Sequence, residues 1–132
     1  MLDLFQRRFE VFQELTRTIT TAFNKADVDG QDLFNFETTI EKARFLFGRE
    51  VHKYLAESRQ RMFFIIMNQH ALRSTPDGPQ RANAEKKVLD ALDEMNRFYE
   101  GLATLVTPYM RVGQPADPWR SLLDRVQGPT NR

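Results

Sequence analysis

The sequence predicts an all-α fold: an antiparallel bundle of four main helices with a short C-terminal helix. Apolar residues recur at intervals of three and four along most of the chain, which is the spacing of one helix face. No stretch alternates apolar and polar residues as a half-buried strand does. The predicted helices are joined by short turns, which favours antiparallel neighbours. We expect one domain over residues 1–127 and a frayed tail over 128–132.

The first predicted helix spans residues 2–24 and has one apolar face running over about six turns. Glutamate, glutamine and arginine occupy its other faces, as expected of a helix at a protein surface. The apolar positions are Leu2, Phe5, Phe9, Phe12, Leu15, Ile19 and Phe23.

The segment after this helix resembles the start of a calcium-binding EF-hand loop. If Gly30 is the sixth loop position, Asp27 and Asp29 take the third and fifth. The first and twelfth positions would then be Lys25 and Phe36, where the ion requires carboxylates. We therefore expect a turn between helices, with Asp29 capping the second helix.

The second helix is predicted over residues 31–47 and the third over residues 49–73, with Gly48 at the joint. The chain is expected to be organised around this joint, within the stretch from Phe34 to Tyr54. Phe45, Leu46 and Phe47 lie beside the joint, so we expect a corner of the core that other helices cover. The stripe of the second helix is Leu33, Phe36, Ile40, Ala43 and Phe47.

The third helix contains an uninterrupted apolar run from Met62 to Met67. This run covers every face of more than one full turn, and a helix that is apolar all round must be covered all round. Either this turn is the most central part of the domain, or part of it packs on another chain. Phe63, Phe64 and Met67 are therefore the candidate interaction surface.

The fourth helix is predicted over residues 80–107, after a loop in which two prolines flank Asp77-Gly78 and before Pro108, which can end a helix. A second linker, residues 113–118, also contains two prolines. Beyond it, a short amphipathic helix over residues 117–126 is expected to fold back over the bundle. Its apolar residues are Trp119, Leu122, Leu123 and Val126.

The composition narrows the possible functions. There are no cysteines, which excludes disulfides and thiolate zinc sites and fits a reducing compartment. The net charge is +1 and the basic residues are scattered among acidic ones, so nucleic acid is an unlikely partner. A nucleic-acid binder would have to use Arg7, Arg8, Arg17, Arg59, Arg61 and Arg73.

No apolar run could cross a bilayer and no signal peptide is recognisable, so we expect a cytoplasmic protein.

The search for a catalytic or metal site finds no convergent set of polar residues. His52 and His70 lie on one predicted helix, about 27 Å apart at ~1.5 Å per residue, too far to share a metal. Glu10 with Glu14, and Glu37 with Glu41, are carboxylate pairs four residues apart, but neither has a histidine at the spacing of di-iron bundles. We therefore predict no catalytic residue, no metal ligand and no cofactor.

Four short segments resemble a loosely described group of bacterial helical proteins, mostly without an assigned function. The segments are Leu2 to Phe12 (LDLFQRRFEVF), Ala43 to Gly48 (ARFLFG), Val51 to Leu55, and Pro108 to Arg111 (PYMR). In many members a membrane-spanning helix precedes the first segment. The resemblance therefore implies either a soluble member without that helix or a domain tethered to a membrane in a longer form, and it implies no catalytic residues.

These observations favour a non-catalytic helical interaction domain, acting by self-association or on a protein partner, with any membrane contact made through a segment absent from this chain. Two alternatives stay open. Carboxylates from Glu10, Glu14, Glu37 and Glu41 could bind a metal, or a small apolar ligand could occupy a pocket between helices.

Overall fold

The computed structural model describes residues 3–111, which form five α-helices and no strand. The all-α prediction is therefore confirmed for this part of the chain. The predicted helix at 117–126 and the tail at 128–132 lie outside it. The elements are α1 (Leu4–Phe23), α2 (Gly30–Ala43), α3 (Arg49–Leu72), α4 (Pro79–Asn96), α5 (Phe98–Val106) and a 3₁₀ turn (Thr107–Tyr109).

Acidic residues cap the first two helices. The Asp3 carboxylate accepts a hydrogen bond from the Gln6 backbone N–H at 2.8 Å. At α2, Asp29 accepts from the Asp32 N–H at 3.0 Å and the Asp32 side chain accepts from the Asp29 N–H at 2.9 Å, which completes a capping box. The Lys25 ammonium lies 2.6 Å from Asp32. The predicted cap at Asp29 is confirmed, and Lys25 neutralises the acidic turn.

The second helix ends at Ala43, so the prediction that it continues to residue 47 is wrong. Residues 44–47 instead form a tight turn in which the Leu46 N–H donates to the Ala43 carbonyl at 3.1 Å. The turn places both Leu46 and Phe47 in the core, each 7% exposed.

The predicted single helix over residues 80–107 is also wrong, because it breaks at Arg97 into α4 and α5. The backbone of Arg97 has φ −95° and ψ 5°, and its N–H donates to the carbonyls of Glu94 and Met95. The Tyr54 ring stacks on Phe98 directly after the break, with centroids 5.7 Å apart. Burial raises the pKa of the Tyr54 phenol, which stays protonated and donates to the Phe98 carbonyl at 3.3 Å.

Helix α3 packs against α2, α4 and α5, while α1 packs against α2 and α5. Edge-to-face contacts between aromatic rings join these helices. The ring centroids of Phe36 and Phe98 are 5.6 Å apart, and those of Phe12 and Tyr99 are 5.5 Å apart. Such contacts add about 0.5–1.5 kcal/mol to the stabilisation from buried area.

Within residues 3–111, no helix combines the length and the apolarity needed to span a bilayer.

Candidate interaction surfaces

The apolar run at residues 62–67 is divided between the core and the surface. Met62 and Ile65 are fully buried, whereas Phe63 is 52%, Phe64 38% and Met67 50% exposed. The run is therefore not the centre of the domain on all sides. Residues i, i+1 and i+4 lie close together on one helix flank, so the structure groups the three predicted residues on the outward side of α3. We call Phe63, Phe64 and Met67 the α3 face.

A shallow depression adjoins the α3 face. It has a volume of about 430 Å³, lies between α3 and α4, and is lined by Glu57, Gln60, Arg61, Phe64 and Ala91. Single exposed apolar residues are ordinary on a protein surface, but a cluster of large ones with a polar rim is typical of a binding site. The α3 face with its depression has that form.

Another exposed aromatic residue, Phe45, lies in the turn between α2 and α3. It is 90% exposed, although the sequence predicts a covered corner there, so that prediction is wrong for Phe45 and right for Leu46 and Phe47. The Arg44 guanidinium lies 5.8 Å from the centre of the Phe45 ring. The sequence gives no signal that separates Phe45 from its two buried neighbours, because all three are large and apolar.

The turn that carries Phe45 is held by side chains from distant parts of the chain. Arg8 donates from Nε to the Leu46 carbonyl at 2.7 Å and from Nη1 to the Tyr109 carbonyl at 3.0 Å. Its guanidinium also lies 5.3 Å from the centre of the Tyr109 ring. Nε2 of His52 lies 3.0 Å from the Phe47 carbonyl oxygen. These contacts fix the backbone directly after the exposed ring.

The position of the Tyr109 side chain explains why residue 48 is a glycine. The Tyr109 hydroxyl donates to Glu50 at 3.1 Å, and its ring meets Phe47 edge-on with centroids 5.6 Å apart. A Cβ added at Gly48 would lie 2.0 Å from the Tyr109 hydroxyl oxygen, so a side chain there would require Tyr109 to move. The four segments quoted for the family resemblance thus meet at one place, through Arg8, Gly48, His52 and Tyr109. We call this place the joint.

Three of the four glutamates considered as metal ligands form ion pairs with basic residues. Lys42 lies 2.9 Å from Glu14, Arg59 lies 3.6 Å from Glu37, and Arg44 lies 3.3 Å from Glu41. Glu10 is exposed on α1. In residues 3–111, no three histidine or acidic side chains lie close enough together to hold a metal ion.

The pKa of Glu14 shows the effect of its ion pair. The hydrogen bond from Lys42 holds the pKa of Glu14 below its ordinary value of 4.5. Partial burial opposes this shift by raising the pKa, and the hydrogen bond from the Thr39 hydroxyl at 3.1 Å lowers it further. Glu14 is therefore ionised and joins α1 to α2.

Three of the six arginines that a nucleic-acid site would need are held by other groups of the protein. Arg8 is bonded to two carbonyl oxygens at the joint, while Arg59 and Arg73 pair with Glu37 and Asp27 on the exposed surface. A groove of about 170 Å³ between α1 and the α4–α5 segment is a candidate site for a small ligand. It is lined by Thr16, Ile19, Thr20, Phe23, Asn24, Met95, Asn96, Phe98 and Tyr99.

Comparison with protein-family models, with curated proteins and with solved structures gives no match to this chain.

Proposed function

We propose that the chain is a non-catalytic helical interaction domain that self-associates through the α3 face. The observation that carries the proposal is the exposure of Phe63, Phe64 and Met67 beside one another on α3, whose opposite side is in the core. An interface of this kind would withdraw these three side chains from water. Full burial of a large apolar side chain contributes about 1.5–3 kcal/mol.

Pairing of two identical copies suits this surface. A two-fold interface uses the same patch on both chains, so each apolar residue contributes twice. Glu57 and Arg61, of opposite charge and four residues apart, both line the depression beside Phe64. In an antiparallel pairing of two α3 helices, each acidic side chain would approach the basic side chain of the other copy, which favours that register.

The proposal includes the arrangement of the helices as an antiparallel bundle. Lys42 near the end of α2 pairs with Glu14 at the middle of α1, while Lys25, after the end of α1, pairs with Asp32 at the start of α2. This pattern supports opposite directions for α1 and α2. Tyr54 near the start of α3 contacts Phe98 and Gly101 in α5, and Arg81 near the start of α4 donates to the Leu72 carbonyl at the end of α3.

The test is sedimentation equilibrium of the full chain from micromolar to millimolar concentration. We expect the mean mass to rise toward that of a dimer at the upper end, and we expect Phe63→Ser, Phe64→Ser and Met67→Ser together to abolish the rise. The matched control is Phe34→Ser with Phe45→Ser, which removes two exposed phenylalanines elsewhere on the surface and should leave the rise unchanged. A mass that stays that of one chain at every concentration would refute self-association.

A further inference from the structure

We infer that the groove between α1 and the α4–α5 segment binds a small uncharged molecule that consists of one ring with a carboxamide. We call this groove the α1 groove. The inference goes beyond the proposed function, because it concerns a different surface from the α3 face and a different class of partner. Three features of the α1 groove support it: its size and apolar interior, the neutral side chains of its walls, and two asparagine amides at its mouth.

The α1 groove has two walls. On α1, Thr16, Thr20 and Asn24 are four residues apart in succession, so they lie along one side of that helix. The facing wall comes from both sides of the break between α4 and α5, and Asn96 is the last residue of α4. The shape of the α1 groove therefore depends on the break, whose two flanks both contribute to one wall.

The interior of the α1 groove is mainly apolar and suits a single ring. Of the residues that line it, Ile19, Met95 and Phe98 are buried. Its volume is about 170 Å³. An apolar cavity of about 150 Å³ in a protein is large enough to hold benzene. Sites for drug-sized ligands are larger, at about 300–1,000 Å³. The α1 groove therefore accommodates one six-membered ring with a small substituent.

The walls of the α1 groove carry no charge that could pair with an ion. Every lining side chain within residues 3–111 is neutral. Arg97, which lies at the break, pairs instead with Asp93 at 2.9 Å and with Glu94 at 3.8 Å. An ionised ligand in the α1 groove would lose hydration without gaining a charged partner. The ligand that fits is therefore uncharged.

Two asparagines, one on each wall, are exposed at the mouth of the α1 groove. They are Asn24 and Asn96, and in the described part of the chain neither side chain hydrogen-bonds to another protein group. Asparagine often follows a helix because it tolerates a left-handed backbone, but Asn24 has a right-handed one, with φ −89° and ψ −4°. The backbone therefore does not explain the choice of asparagine at this position.

The two amides define the polar group of the ligand. An asparagine side chain has one carbonyl acceptor and two N–H donors. A ligand carboxamide also has both kinds of group, so it can donate to one asparagine and accept from the other while its ring lies in the apolar interior. Binding sites of this kind combine an apolar lining with a few polar groups that fix the orientation of the ligand.

Three probes of nearly the same shape test the inference with the full chain. Benzamide has the ring and the carboxamide, toluene lacks the carboxamide, and benzoate is charged at neutral pH. In nuclear magnetic resonance titrations, we expect benzamide to cause saturable shifts at the backbone amides of Thr20, Asn96 and Tyr99. Benzamide should bind several-fold more tightly than toluene and at least tenfold more tightly than benzoate, because a site that hydrogen-bonds its ligand rejects analogues without the matching group.

Substitutions at the mouth separate recognition of the carboxamide from recognition of the ring. Asn24→Ala with Asn96→Ala should weaken benzamide binding at least tenfold and change toluene binding less than twofold. Asn83→Ala, at an exposed asparagine elsewhere on α4, is the matched control and should change neither. Both alanine positions of the double variant are exposed, and far-UV circular dichroism checks that each variant stays helical.

A blocked groove provides the second test. Thr20→Phe places a large side chain at the mouth and should abolish benzamide binding. Thr21→Phe, at the exposed neighbouring position outside the α1 groove, should leave it unchanged. The inference is overturned if benzamide causes no saturable shifts at millimolar concentration, or if its shifts persist in Thr20→Phe. Toluene or benzoate binding as tightly as benzamide would also overturn it, because the two asparagines would then recognise nothing.

Discussion

The Tyr109 hydroxyl lies directly over Gly48, and a Cβ at Gly48 would be 2.0 Å from its oxygen. The two residues are far apart in sequence, and their contact holds the 3₁₀ turn after α5 against the start of α3. The same hydroxyl donates to Glu50 at 3.1 Å, so it cannot turn away without losing that hydrogen bond. Gly48 is thus selected by a close approach between elements, since its φ of −84° is open to any residue.

Gly48→Ala should destabilise the fold by about 1–3 kcal/mol, the usual cost of overpacking. Urea unfolding followed by circular dichroism measures the change. Tyr109→Phe in the Gly48→Ala background removes the clashing oxygen and should recover part of the loss. Gly30→Ala is the matched control, because a Cβ there meets no atom within 4 Å, and it should not destabilise the chain. Equal losses for both alanine variants would contradict the role assigned to Tyr109.

Arg8→Lys should also destabilise the chain, although it keeps the charge. A single ammonium cannot reproduce the two bonds that the guanidinium makes to the Leu46 and Tyr109 carbonyls. Hydrogen bonds to charged groups contribute about 1.5–3 kcal/mol, so a loss in that range is expected in urea unfolding. Arg7→Lys, at the exposed neighbouring position, should have little effect. If Arg8→Lys were as stable as the unaltered chain, Arg8 would not brace the joint.

Neighbouring residues in the apolar run should respond very differently to truncation. Met62→Ala removes a fully buried side chain and should cost about 2–5 kcal/mol through lost burial and the cavity left behind. Phe63→Ala removes a larger side chain that is 52% exposed, and its cost should be clearly smaller. Thermal unfolding of the two variants at equal concentration makes the comparison. The opposite order would mean that α3 is rotated relative to the structure described above.

The ion pair between Glu14 and Lys42 should make stability depend on pH in the acid range. Because the folded state lowers the pKa of Glu14 from 4.5, the pair stabilises the fold above that value, and this contribution is lost as pH falls through the folded pKa. In Lys42→Met the pKa of Glu14 should rise, and less stability should be lost between about pH 5 and pH 3.

Nuclear magnetic resonance titration of the Glu14 carboxyl, with unfolding measured across the same pH range, provides the test. Lys86→Met, which removes an exposed pair with Asp90 on α4, should leave the titration of Glu14 unchanged. An unaltered Glu14 pKa in Lys42→Met would show that Lys42 is not its main partner.

The sequence predicts helices well where one apolar stripe is continuous, as in α1, because periodicity depends only on local geometry. It does not reveal the break at Arg97, since no proline or glycine marks the break, and the Tyr54 ring that stacks on Phe98 beside it comes from a distant part of the chain. Nor does it reveal where α2 ends, because Phe47 continues the stripe of that helix although it lies in a turn. Local patterns cannot report contacts made by distant residues.

The candidate surface, too, can be predicted from the sequence only in part. The run from Met62 to Met67 identifies a turn that is too apolar for one buried side, and Phe63, Phe64 and Met67 are exposed on it as the sequence suggests. Which residues of the run face inward depends on where α2, α4 and α5 lie, so the pattern alone leaves a core turn as an equal alternative. Arg8 is an ordinary surface residue in the sequence, and only the structure shows its two carbonyl partners.

The joint has a kinetic consequence. Arg8 bonds to carbonyls that are 38 and 101 residues away along the chain. A contact across so long a loop forms only after the ends of the domain have been brought together, and loop closure is entropically unfavourable until then. We expect the joint to form after the folding transition state, so that weakening it accelerates unfolding and leaves the refolding rate almost unchanged.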